Sequence, residues 1–131
     1  AKCIGADAVL LICSLLSAAQ LGEYLAQVQE LGLSALVEAH TAGEVQMALA
    51  AGAEIIGVNN RNLKDFSVNP LNSLRLRDAI PASKIFVAES GIQCAADAKA
   101  LKQAGVQAVL VGEALMRSTD AAAMLKEMRD A

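Results

Sequence analysis

Aromatic side chains are nearly missing from this chain, which has no tryptophan, one tyrosine and two phenylalanines in 131 residues. Without ring platforms, a nucleic-acid site built on base stacking is excluded. Positive charge in excess is missing too. The formal net charge is −3 and the basic residues are scattered, so no footprint for a polyanion exists, although a small anion at a local site is allowed. No apolar stretch approaches the ~20 residues of a membrane span. Ala8 to Ile12 is apolar but lies between Asp7 and Ser14. A basic start with a cleavage site, the mark of a secretory leader, is absent. Cysteine is scarce: Cys3, Cys13 and Cys94 are odd in number, far apart and in no CxxC pair. That excludes a disulfide framework or a zinc site and reads as reduced thiols in a cytoplasmic protein. His40 is the lone histidine and has no partners for a triad or a metal centre.

What is present is aliphatic. An apolar fraction of 55% with so few rings means a core of Ala, Val, Leu and Ile. Such a core suits parallel strands buried on both faces. Short β-type runs cover Ala8–Ile12, Ser34–Glu38, Glu54–Asn59, Lys84–Ala88 and Gln107–Val111. Helical patterns separate them. Ser17 with Gln20, and Thr41 with Glu44, are capping-box pairs that open two helices. Gly32 and Gly52 close those helices. Pro70 suits the first turn of a third helix, which Pro81 stops. Ala95 to Gln103 reads as a fourth and about Asp120 to Met128 as the last, while Met116, Met124 and Met128 suit core filling. Ala1 to Gly5 reads as the last turn of a helix begun upstream. The order βαβαβαβαβα predicts one parallel sheet with right-handed crossovers, in a single domain over residues 1–131. Five such units make an open sheet or part of a β/α barrel, since a full eight-stranded barrel takes about 250 residues.

Four of the strands, all but Ala8–Ile12, end in a polar or glycine-bearing cluster, at the edge where α/β sheets and β/α barrels carry their chemistry. Glu38 and Glu89 each follow apolar strand residues. Either is a solvated acid at a strand's end or a proton-transfer group tuned by burial. Two carboxylates on nearby strands repel unless a cation or donor lies between them, and Arg61 is the candidate for that place. In Asn59-Asn60-Arg61-Asn62, the asparagines suit a turn, whereas a guanidinium suits carboxylate or phosphate recognition. Ser90-Gly91-Ile92 and Gly112-Glu113-Ala114 are candidate phosphate loops, because glycine lets backbone amides approach an anion. His40, beside the cap at Thr41, reads as a loop or capping residue.

The phrases Leu36-Val37-Glu38, Ile56-Gly57-Val58-Asn59-Asn60-Arg61-Asn62-Leu63, Val87-Ala88-Glu89-Ser90-Gly91-Ile92 and Val109-Leu110-Val111-Gly112-Glu113-Ala114-Leu115-Met116 closely resemble indole-3-glycerol phosphate synthases. So does Gly5-Ala6-Asp7-Ala8-Val9-Leu10-Leu11-Ile12. The resemblance implies a partial (β/α)8 TIM barrel, strands four to eight at the C-terminal end, in a carbon–carbon lyase of tryptophan biosynthesis. The implied substrate is a phosphorylated small molecule, 1-(2-carboxyphenylamino)-1-deoxyribulose 5-phosphate, which closes its ring with loss of carbon dioxide and water. No cofactor and no metal are implied. By motif, Glu38 matches a catalytic glutamate, Asn59 an asparagine that positions substrate hydroxyls, and Glu89 the second acid. Arg61 matches an arginine near the substrate carboxylate. Ser90 and Gly91 begin the phosphate loop and Gly112 continues it. Glu113 departs from the small serine often found there, so only its backbone amide is expected to touch phosphate.

The resemblance also implies lysines on the first and third barrel strands, and nothing in this chain matches them. Lys64 and Lys84 are expected away from the site end. The chain alone is therefore expected to be inactive. Its open sheet edges predict self-association or pairing with a complementing N-terminal half-barrel. The competing readings are a non-catalytic phosphate-binding or self-associating half-barrel module, and another phosphosugar barrel enzyme such as phosphoribosylanthranilate isomerase.

Overall fold

The computed structural model describes residues 1–62 and 64–131. Leu63, which ends the Asn-Asn-Arg-Asn-Leu phrase, lies outside the described residues. Five strands, β1 (Ala8–Ile12), β2 (Ser34–Ala39), β3 (Ile55–Asn59), β4 (Ile85–Glu89) and β5 (Ala108–Leu110), form one sheet. They lie in chain order and every pair is parallel. The helices between them are α1 (Ala18–Glu30), α2 (Ala42–Ala50), α3 (Asn72–Leu76), α4 (Ala95–Gln103), α5 (Glu113–Arg117) and α6 (Ala121–Asp130). Sequential parallel βα units of this kind are part of a β/α barrel wall, as expected.

Local chemistry sets the boundaries. Ser17 and Gln20 form the expected capping box, with Gln20 N donating to Ser17 Oγ at 3.2 Å and Ser17 N to Gln20 Oε1 at 2.9 Å. The second box is altered. Glu44 N donates to Thr41 Oγ1, but the Glu44 carboxylate accepts from His40 N at 2.6 Å, so the acid ties down the residue before the cap. Gly5 ends a short 3-10 turn, Lys2–Ile4, in left-handed backbone with φ 82°, the conformation expected of a helix-ending glycine. The third helix is shorter than expected. Pro70 lies in the turn before it, Leu71 is its N-cap, and it passes into a 3-10 turn at Arg77–Ala79.

One helix is unexpected and one expectation fails. α5 follows Gly112 directly and is too short for its apolar spacing to stand out in the sequence. Met116, on α5, is 90% exposed and fills no core gap, whereas Met128 is buried and Met124 packs at the core's edge.

Alternate strand residues face the helices, and these are the core: Val37, Ala39, Ile56, Val58, Phe86 and Ala88, each at most 1% exposed. Leu21, Val45, Ala48, Leu101, Val106 and Met128 pack over them. Arg77 closes one corner, its guanidinium 5.8 Å from the Phe86 ring centroid and bonded to the carbonyls of Ile80 and Ala104. The opposite sheet face has no such cover. Leu10 and Ile85 are 48% exposed there and Leu110 49%. The aliphatic composition predicts burial on both faces; the structure covers one.

Candidate active site

Register places the polar residues. Glu38 pairs with Gly57 across β2 and β3, and Asn59 pairs with Glu89 across β3 and β4. Paired residues share a face, and so do residues two apart on one strand. Glu38, Gly57, Asn59 and Glu89 therefore share the open face, at the C-terminal ends of their strands. None is a solvated strand-end residue: Glu38 is 6%, Asn59 7% and Glu89 4% exposed.

The two acids interact. The Glu89 pKa is raised from the usual 4.5 to about 7, first by burial, then by the charge of Glu38 and by a hydrogen bond with it that needs a proton. Oε1 of Glu89 is buried with no hydrogen-bond partner. Cys13, beyond the end of β1, has its thiol pushed up to about 11 by burial and by the nearby Glu44 and Glu38 carboxylates. It is an inert thiol at neutral pH.

Arg61 does not lie between the acids, contrary to the sequence-based expectation. Asn59 Oδ1 accepts from Arg61 N at 2.9 Å, and Arg61 forms an antiparallel bridge with Val68. Those contacts turn the chain off the line of β3. The guanidinium then reaches Glu113, beyond β5, at 2.8 Å. Arg117 grips the same carboxylate at 3.2 Å. The Glu113 side chain is thus spoken for by two arginines, which offsets the repulsion an acid would exert on an anion nearby.

The loop residues converge. Arg61, Ser90, Gly91, Gly112 and Glu113 all line one recess of about 250 Å³. A larger cavity of about 750 Å³ adjoins it, with Arg61, Gly91, Ile92, Glu113, Arg117 and Thr119 in its walls. Ser90 and Gly91 are consecutive left-handed residues, φ 63° and 73°. A β-carbon on Gly91 would come within 2.7 Å of Val68 Cγ1, so glycine is required there twice over.

Asn60 holds that turn and is not distinguished in the sequence from an ordinary turn asparagine. It is 1% exposed. Its Nδ2 donates to Ser90 O at 2.9 Å, and its Oδ1 accepts from Ser73 N at 2.9 Å and Ser73 Oγ at 2.8 Å. One side chain thereby ties the end of β3 to α3 and to the loop after β4. Its neighbours Asn59, Arg61 and Asn62 are polar, so no local signal marks it as buried. His40 acts as a loop residue: its Nδ1 bonds Asn59 O at 2.7 Å, and Asn72 Nδ2 donates to His40 O.

Lys84 is at the start of β4, bonded to Glu54 at 2.7 Å, at the far end of the sheet as expected. Lys64, contrary to expectation, is at the site end, exposed in the loop that leaves β3. Among the described residues, no group of three or more metal-ligating side chains is assembled, and no helix is long and apolar enough to cross a membrane.

A family model described as indole-3-glycerol phosphate synthase matches residues 1–128. The indole-3-glycerol phosphate synthase of Ruminiclostridium cellulolyticum is 54% identical over 129 residues, covering 98% of this chain and 50% of that protein. That of Chlorobium chlorochromatii is 55% identical over 120 residues, 92% of this chain and 47% of its own length. The chain spans about half the length of the curated relatives it matches. Among solved structures, 3-hexulose-6-phosphate synthase from Salmonella typhimurium superposes with a TM-score of 0.81 at 18% identity, over 96% of this chain and 61% of that one. Thiamine phosphate pyrophosphorylase from Pyrococcus furiosus gives 0.73 at 20% identity, over 97% and 59%. At such identities these two share the fold alone.

Proposed function

Since the chain belongs to the indole-3-glycerol phosphate synthase family, we propose that it supplies the acid pair and the phosphate cradle of an active site that closes an indole ring. The observation that carries this reading is a juxtaposition. Glu38 and Glu89 are buried together on the open sheet face, and Ser90, directly after Glu89, begins the wall of a recess also lined by Arg61, Gly91, Gly112 and Glu113.

The substrate on this reading is 1-(2-carboxyphenylamino)-1-deoxyribulose 5-phosphate. Its phosphate sits in the recess, against the left-handed turn at Ser90 and Gly91. The ring carbon attacks the sugar ketone, whose oxygen takes a proton and becomes a hydroxyl. The carboxylate leaves as carbon dioxide, and the hydroxyl leaves as water once it is protonated. A glutamate that still holds its proton near neutrality, as Glu89 does, is suited to deliver that second proton. As water leaves, the methylene carbon beside the nitrogen gives up a proton to form the ring double bond; Glu38 is suited to take that proton up, and Asn59 to hold substrate hydroxyls. Arg61 pairs with the substrate carboxylate after exchanging Glu113 for it.

The chain by itself then binds the phosphate end and turns nothing over, because the lysines that the resemblance assigns to other strands have no match here. The placement in strands four to eight rests on the order of the motifs. A turnover assay with the isolated chain tests the reading, alongside ³¹P NMR of the substrate. Binding without product is expected; robust formation of indole-3-glycerol phosphate would show that this chain needs no further lysines.

A second reading, a self-associating half-barrel module, is favoured by Leu10, Ile85 and Leu110, which leave apolar surface on the uncovered sheet face. It shares the phosphate recess and differs in having no catalytic step.

A further inference from the structure

Gly57 stands where β3 passes between the two acids. It pairs with Glu38 on β2 and with Val87 on β4. It is not among the left-handed glycines, so backbone conformation is not what asks for glycine there. Space is. A β-carbon at this position would overlap Oε1 of Glu89, and would stand 3.0 Å from its Cδ and 3.1 Å from Leu36 Cδ1. The Glu89 side chain is thus folded back from the end of β4 onto the bare backbone of β3, towards the strand neighbour of Glu38.

We propose that Gly57 is a positioning residue, whose missing side chain forms the seat that brings the Glu89 carboxyl alongside Glu38 and makes the two acids one proton-holding pair. The catalytic consequence rests on the function proposed above; the seat does not. Few other ionisable groups face the pair. Cys13, beyond β1, feels the Glu38 charge. His40, beyond β2, bonds the Asn59 carbonyl. Arg61, beyond β3, is turned to Glu113. Leu110 is the β5 neighbour of Glu89 and carries no charge. The clashing atoms are the far end of a flexible side chain, so a methyl group at residue 57 displaces the carboxyl before it disturbs the strand.

The test is a glutamate side-chain carboxyl NMR titration of the chain and of Gly57→Ala, which needs no turnover and so stands apart from the proposed reaction. In the native chain, Glu89 is expected to titrate near neutrality. In Gly57→Ala, Glu89 should titrate in the ordinary glutamate range, with amide signals of β1 and β5 unchanged. A Glu89 titration that stays near neutrality after the substitution overturns the proposal. Should Gly57→Ala fail to fold, Gly57→Ala/Glu89→Ala decides. Folding restored by removing the carboxyl supports the seat. A double variant that stays unfolded while Glu89→Ala alone folds traces the damage to Leu36 and overturns it.

Discussion

Glu38 and Glu89 reach the same face of the sheet from β2 and β4, and Gly57, the β3 partner of Glu38, has no side chain to keep the Glu89 carboxyl away. Two buried acids so placed cannot both ionise cheaply, and Glu89 keeps its proton up to about pH 7. The native chain thus holds a proton that the unfolded chain, with an ordinary glutamate at 4.5, has released. The stability contributed by this group is complete below the unfolded value and is lost as pH rises through the native one. Glu89→Gln keeps the shape and removes the titration. Each pH unit between the unfolded and native values is worth about 1.4 kcal/mol. Urea unfolding should therefore show the native chain losing on the order of 2–3 kcal/mol from this group between about pH 4.5 and pH 8. The Glu89→Gln curve should be flatter over that window. Equal slopes would move the titrating group elsewhere.

Glu113 neutralises Arg61 and Arg117 at the mouth of the recess. Both ion pairs are substantially exposed, so breaking them should change stability by less than about 1 kcal/mol. The effect on anion binding is the informative one. Glu113→Gln removes a negative charge from the recess proposed to hold phosphate and releases both guanidiniums. Inorganic phosphate should bind several-fold more tightly to Glu113→Gln, and several-fold more weakly to Arg61→Ala, by ³¹P NMR titration at low salt. Weaker binding to Glu113→Gln would mean that the acid orients the arginines rather than competing for them.

Asn60 joins three segments with one buried amide. Asn60→Ala strands the Ser73 amide, leaves the Ser73 hydroxyl only its long bond to Val58 O, and leaves Ser90 O without its donor. A loss of about 2–4 kcal/mol in urea unfolding is expected from several buried partners left unpaired. Phosphate affinity should fall as well, since the left-handed pair Ser90 and Gly91 loses the bond that holds it. A fully stable variant would show that water replaces the amide.

The strands were legible because apolar runs of this length, broken by polar or glycine residues and alternating with helical spacing, have few other solutions. Glu38 and Glu89 were legible for the same reason, as charged residues where such runs stop. Gly57 was not, because its contribution is an empty space that has meaning only once the β2–β3 register is known. The partner of Arg61 was not, because Glu113 is 52 residues away in sequence and nothing local favours it over the acids on the adjacent strands. Asn60 was hidden by its own residue type, which suits a solvated turn as well as a buried knot. α5 was hidden by brevity, at 5 residues too short to show a helical period.

The uncovered sheet face is where composition misled, and it yields the last prediction. Aliphatic residues on both sides of every strand predict two covered faces, yet the side bearing Leu10, Ile85 and Leu110 meets no helix, and each of the three stays about half exposed. The outer strands β1 and β5 each pair on one side only within the sheet. Apolar surface beside unpaired strand edges favours association of copies. Light scattering should therefore show a mass above the 13.5 kDa of a single chain, rising with concentration. Leu10→Lys combined with Leu110→Glu should return the chain to a monomer while leaving its circular dichroism unchanged, because neither residue belongs to the helix-covered core. The recess lined by Arg61 gives the control: Arg61→Ala should weaken anion binding and leave the mass alone. A native chain that stays monomeric at high concentration would mean that the exposed leucines and isoleucine are tolerated singly and form no interface.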